Sequence, residues 1–129
     1  MPCLRIDTAE GWLEGREAEL FAAIDAVVCR VLGVPPHDTL IRLNTYPPAR
    51  LCRPATAGPG YCYVEVALFA GRTITTKRTL YAGLTEALVA CGAQPDDVTI
   101  ALLEIPLDNW GIRGGQPASD CQFGFVIAV

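Results

Sequence analysis

The chain has 129 residues, enough for one domain, and it is 51% hydrophobic against 19% charged, which excludes a disordered tail. A net charge of −4, with ten scattered lysines and arginines and no basic run, argues against nucleic-acid binding as the main function. No apolar run approaches the roughly 18 to 20 residues that a membrane helix needs, so no membrane partner is expected.

The amino terminus, MPCLRIDTAEGW, has no charged segment leading into an apolar one, so no secretion signal is expected. Residue 2 is proline, and aminopeptidases usually remove an initiator Met before so small a residue. Pro2 would then carry a free secondary amine. An ordinary α-amino group titrates at roughly 7.7 to 8.0. Burial near cations lowers that value and makes the amine a competent base at neutral pH. A Met-Pro start with no chemistry is the alternative.

Cys3 to Asp7 is a short branched, apolar run of the kind that forms a strand. From about Glu14 to Leu32, the residues Leu20, Ile24, Val27, Val28 and Val31 fall on one helical face. Gly33 stops that helix, and Pro35 and Pro36 follow. His37 is expected at the surface, and Asp38 is either a turn or cap residue or part of a site. Thr39 to Thr45 predicts a strand. The segment from Pro47 to Gly60 is a loop rich in proline and glycine that carries Arg50 and Arg53.

Tyr61 to Phe69 predicts a third strand, and Ala70-Gly71-Arg72-Thr73 joins it to a helix over about Thr75 to Cys91. Helix amides point at that junction, and the fork of Arg72 suits a carboxylate. A solvated arginine is the competing reading. Lys77 and Arg78 on this helix are expected in solvent. Leu80, Leu84 and Leu88 form its apolar stripe, Gly92 ends it, and Val98 to Ile105 predicts a fourth strand.

Asn109 to Gly115 is a glycine-rich turn in which Trp110 can wall an apolar pocket and Arg113 can add charge. A flexible hairpin anchored by one tryptophan fits it equally. Over Cys121 to Val129, Phe123, Phe125 and Ile127 alternate, as in a final strand or hairpin able to pair across a subunit boundary.

The chain also repeats itself weakly. At a shift of 60, Leu4 meets Val64, Gly11 meets Gly71, Leu20 meets Leu80 and Ile24 meets Leu84. After one deletion, at a shift of 59, Gly33 meets Gly92, Pro36 meets Pro95, Asp38 meets Asp97 and Ile41 meets Ile100. The order of these matches favours a tandem duplication, residues 2–46 and 61–106, within a single domain of residues 1–129. Each copy is strand, helix, strand, so its two strands should be parallel. The expected fold is therefore α+β: a two-layer sandwich with a four-stranded mixed sheet, two helices on one face and an extra C-terminal strand or hairpin. The other face is left for a partner subunit.

Six cysteines, none close enough in sequence to cluster, and a single histidine predict no metal site. A reduced, cytoplasmic protein is expected, with most cysteines acting as small buried hydrophobes.

Together, the Met1-Pro2 start, the duplicated unit, Gly71-Arg72 with Lys77 and Leu80-Tyr81, Pro95-Asp96-Asp97-Val98 and the Asn109 to Gly115 turn resemble the tautomerase superfamily, which includes the oxalocrotonate tautomerases and macrophage migration inhibitory factor. The resemblance covers nearly the whole chain and is closest to the malonate semialdehyde decarboxylase-like branch. It implies a homotrimer, no cofactor and a pocket around Pro2. It also implies that Pro2 is the base and that Arg72 holds a substrate carboxylate. Asp38 then stands where the decarboxylase has an aspartate that works with water, and Trp110 walls the pocket. The decarboxylase carries a second arginine where this chain has Ala70; Arg113 would have to substitute for it. The expectation is thus keto–enol tautomerisation of a small 2-oxo acid of phenylpyruvate type. Decarboxylation or hydration in the same pocket, or a non-catalytic trimeric binding protein, are the alternatives.

Overall fold

The computed structural model describes residues 2–129. Met1, whose removal the proline reading requires, lies outside the described residues.

Strands β1 (Cys3–Ala9), β2 (Leu40–Tyr46), β3 (Cys62–Phe69) and β4 (Val98–Ile105) form one sheet in the order β2-β1-β3-β4. Each outer pair is parallel, with Cys3 beside Leu40 and Cys62 beside Val98. The central pair is antiparallel, with Cys3 opposite Ala67. Helices α1 (Glu17–Leu32) and α2 (Ile74–Ala90) make the two crossovers.

Strand alternation places Leu4 and Ile6 of β1 and Val64 and Val66 of β3 on the helical side. They join Leu20, Ile24 and Val28 of α1 and Leu80, Leu84 and Leu88 of α2, and each of these side chains is at most 1% exposed. Gly83 lets the helices approach closely, since a Cβ there would lie 2.7 Å from Val27. Both helix stops hold: Gly33 and Gly92 adopt left-handed backbone, at φ 73° and 118°.

Helix α1 begins three residues later than its apolar period suggests. Gly15, at φ 82°, turns the chain first. Arg16 then spans to the other helix, donating to the carbonyls of Ala90 and Cys91 at 2.9 Å each.

The open face of the sheet differs from a plain apolar surface. The register sets Arg5 against Glu65, and its guanidinium lies 3.0 Å from that carboxylate and 3.2 Å from Asp7. Tyr46 and Asn44 donate to Asp7, and Tyr63 donates to Glu65. The two carboxylates push both phenols upward in pKa. Apolar exposure is left to the edges, at Leu40 and Leu103.

The tail also differs. Residues 121–129 form no strand; the added hairpin is β5 (Gly111–Ile112) with β6 (Gln116–Pro117). Phe123 and Phe125 stack 5.5 Å apart, and the carbonyls of Gln122 and Val126 accept from Arg113 and Arg72. A backbone spent in this way has no regular ladder to offer.

At the end of the sheet where β1 finishes, the chain is plugged. Thr8, fully buried, donates to the Tyr61 carbonyl at 2.7 Å and accepts from the Trp12 indole at 2.9 Å. Thr8→Val is expected to lower stability by about 1–3 kcal/mol, because both partners lose their bond. Urea unfolding followed by circular dichroism measures it.

Candidate functional site

The first residues of β1 and β2 and the last of β3 and β4 share one end of the sheet, opposite the plug. Five chain segments meet there. Pro2 is buried, and its carbonyl accepts from the Leu40 N–H at 3.1 Å. That bond sets residue 2 beside the segment carrying Asp38.

Asp38 and Arg113 line one cleft of about 250 Å³, together with Pro35, Ile112, Phe123 and Phe125. Both sides of the cleft are shaped by left-handed backbone at residues with a Cβ. His37, next to Asp38, is at φ 62°, and Arg113 is at φ 49°. Such conformations cost free energy and gather at binding sites. The His37 N–H donates to Asp25, and its ring is solvent-exposed, as expected from the sequence.

Arg72 packs against Phe125, one wall of the cleft. Gly71, at φ 122°, turns the chain so that the arginine points inward, just as Gly11 turns it at φ 104° in the first half. The guanidinium lies 5.9 Å from the Phe125 ring centre. One of its nitrogens, Nη1, donates to the Leu32 carbonyl at 2.7 Å and to that of Val126 at 3.3 Å. Its Nε is buried with no partner. Arg72 is only 7% exposed, and this desolvation lowers its pKa. It is not the solvated arginine of the competing reading. It ties the last residue of α1 to the tail, and it is a buried cation held by neutral oxygens.

Trp110 stands at the far wall. Its indole donates to the Ile105 carbonyl at 3.2 Å and meets Phe69 edge to face at 5.4 Å. Phe69 continues the wall to Phe123 at 5.0 Å, and Arg113 lies 5.3 Å over that ring. The structure thus brings Asp38, Arg113 and Arg72 around Phe125, with Trp110 linked through the aromatic row. Phe69, Phe123 and Phe125 complete a wall that sequence reasoning missed. Lys77, partly exposed, pairs with Glu104 at 2.7 Å.

The positions 60 residues away, at the plugged end of the sheet, are dissimilar in chemistry. Sixty residues from Pro2 is Cys62, and sixty from Arg72 is Trp12. Burial, with the nearby Asp97 charge, pushes the Cys62 thiol up to about 12. Asp97, 7% exposed, accepts from the Gly58 N–H at 2.9 Å. Only Cys62 and Cys91 are fully buried; Cys52 is exposed, and all six cysteines are free thiols. Full burial is thus confined to two of them, with Cys29 packed partly buried against the core. Among the described residues, no group of three or more His, Cys, Asp or Glu is placed to hold a metal.

Residues 38–113, more than half the chain, match the Tautomerase_2 family model, described as a tautomerase enzyme. Over 52 residues the chain is 38% identical to "Probable tautomerase RSp0893" of Ralstonia nicotianae (strain ATCC BAA-1114 / GMI1000), covering 40% of this chain and 74% of that one. Its fold is similar to that of a fused 4-OT solved as an asymmetric trimer, with TM-score 0.82, 27% identity and 92% and 97% of the two chains covered. A malonate semialdehyde decarboxylase inhibited by 3-bromopropiolate is similar at TM-score 0.76 and 27% identity, with 92% and 94% covered. The fold and the family match agree, and the chain belongs to the tautomerase family.

Proposed function

We propose that the protein is a cofactor-independent tautomerase of small 2-oxo acids, with Pro2 as the general base. The observation that carries this reading is one end of the sheet where residue 2 bonds the segment carrying Asp38, Arg113 lines an aromatic-walled cleft, and Arg72 is buried against Phe125 of that cleft. In this reading Arg72 and Arg113 bind the carboxylate and the aromatic row holds an apolar group on carbon 3. Neutral Pro2 removes a proton from carbon 3 and returns one to the product. The cationic surroundings stabilise the enolate, a contribution that is usually the largest in such chemistry. The same surroundings favour an unprotonated amine at neutral pH.

We also place the working unit as a homotrimer, supported by the open sheet face and by the trimeric fused 4-OT. The six free thiols suit a reducing compartment, which is the basis for assigning it to the cytoplasm.

The test is ketonisation of phenylenolpyruvate followed by absorbance. Turnover well above the buffer rate is expected, and a rate equal to buffer would overturn the assignment. Asp38 favours one second reading, decarboxylation or hydration in the same cleft, because a carboxylate there can position water. That reading requires malonate semialdehyde turnover that Asp38→Asn abolishes. Under the tautomerase reading, Asp38→Asn is expected to keep phenylenolpyruvate turnover within about tenfold, since general acid–base groups contribute roughly 10²–10⁴-fold and Asp38 is not one here.

A further inference from the structure

The last five residues close over the place where the substrate carboxylate is proposed to sit. The Val126 carbonyl takes Nη1 of Arg72 at 3.3 Å, and the Phe125 ring covers the guanidinium. The Val129 oxygen accepts from the Thr73 N–H at 2.9 Å, at the N-terminal cap of α2. Ile127 packs 3.5 Å from the Cβ position of Gly71. The tail thus holds both donors that an anion would seek at this junction. The buried Arg72 Nε is left with none.

We propose that residues 125–129 form a strap that occupies the carboxylate place at Arg72 and the α2 N-terminus, and that substrate binds by displacing it. The proposal rests on the 2-oxo acid reading above. Neutral oxygens hold a full positive charge here, and a carboxylate forms charge-assisted bonds about twice as strong. The planar carboxylate can also satisfy two nitrogens of the guanidinium fork, where the strap satisfies one. The strap itself is weakly held: it has no strand ladder, Val126 is 65% exposed and Val129 is 42% exposed. Segments with few buried contacts open at low cost. A strap closed about nine-tenths of the time raises the apparent Kd about tenfold.

Titration calorimetry with phenylpyruvate tests this on three proteins of equal length: the full chain, Ile127→Ala, which loosens the contact with Gly71, and Ile127→Gly, which removes it and frees the backbone. The expected result is binding about tenfold tighter in Ile127→Gly and an intermediate gain in Ile127→Ala. Hydrogen exchange of the 121–129 peptide in the full chain should rise when phenylpyruvate is added. Equal Kd in all three proteins, or a tail more protected with ligand, overturns the strap and leaves the substrate reading standing. Absence of binding in all three folded proteins overturns the substrate reading, and the strap with it.

Discussion

Replacing Pro2 by alanine is expected to lower kcat/KM for phenylenolpyruvate by about 10²–10⁴-fold, the usual worth of a positioned general base. The variant keeps the bond that anchors this end of the chain, because the residue 2 carbonyl still accepts from Leu40. Its folding should therefore be close to normal, and a thermal melt beside the kinetics checks that. Alanine also leaves a primary amine, with an ordinary pKa of roughly 7.7 to 8.0. It lacks the pyrrolidine ring, which blocks rotation about the N–Cα bond and holds the nitrogen in one direction. The loss should thus fall mainly on kcat. Mass spectrometry must show Met1 removed from both proteins, since an acylated Pro2 nitrogen is an amide and no base. A folded, correctly processed variant with most of its activity would exclude Pro2 as the base.

The second large effect is expected at Arg72, and it has two parts. Arg72→Met removes the donor to Leu32, the last residue of α1, and to Val126 in the tail. Leaving the buried Leu32 carbonyl unpaired costs about 1–3 kcal/mol. Relief from burying a cation offsets some of this. The second part is the lost partner for a substrate carboxylate. Truncating one side of a buried charge pair costs about 2–5 kcal/mol, so kcat/KM should fall by at least about 30-fold. Arg72→Lys keeps the charge but not the planar fork, and it should recover only part of either quantity. The two parts separate experimentally. A variant that melts earlier yet keeps normal kcat/KM would show that Arg72 only ties α1 to the tail.

Much of the fold was legible in the sequence because it follows from local periodicity. Leu20, Ile24 and Val28 repeat at helical spacing, and glycines stop both helices. The tail was misread for the same reason. Phe123, Phe125 and Ile127 alternate as strand residues do, yet the partner of the Val126 carbonyl is Arg72, 54 residues away. No local pattern carries such a contact. Arg72 itself was legible as a cation at a helix start, but not its bond to Leu32, which depends on how α1 lies against β3 and α2. The aromatic row was hidden likewise. Phe69 was visible as a strand residue, while its meeting with Trp110 and Phe123 is made only by the fold. At the sheet face, Asp7 is Arg5's neighbour two residues along β1, while only the register brings Glu65 opposite.

The Trp12–Thr8–Tyr61 plug has a consequence for how this chain can change over time. The two strand-helix-strand halves leave the sheet two ends, one closed by this plug and one carrying the cleft. Substitutions around Trp12, Thr8 and Cys62 should therefore register as gains or losses in melting temperature, with turnover little altered. Those around Asp38, Arg113 and Phe125 should register as changes in what is accepted and how fast, at modest thermal cost. Robustness and adaptability usually compete for the same residues. Here each has its own end of the sheet.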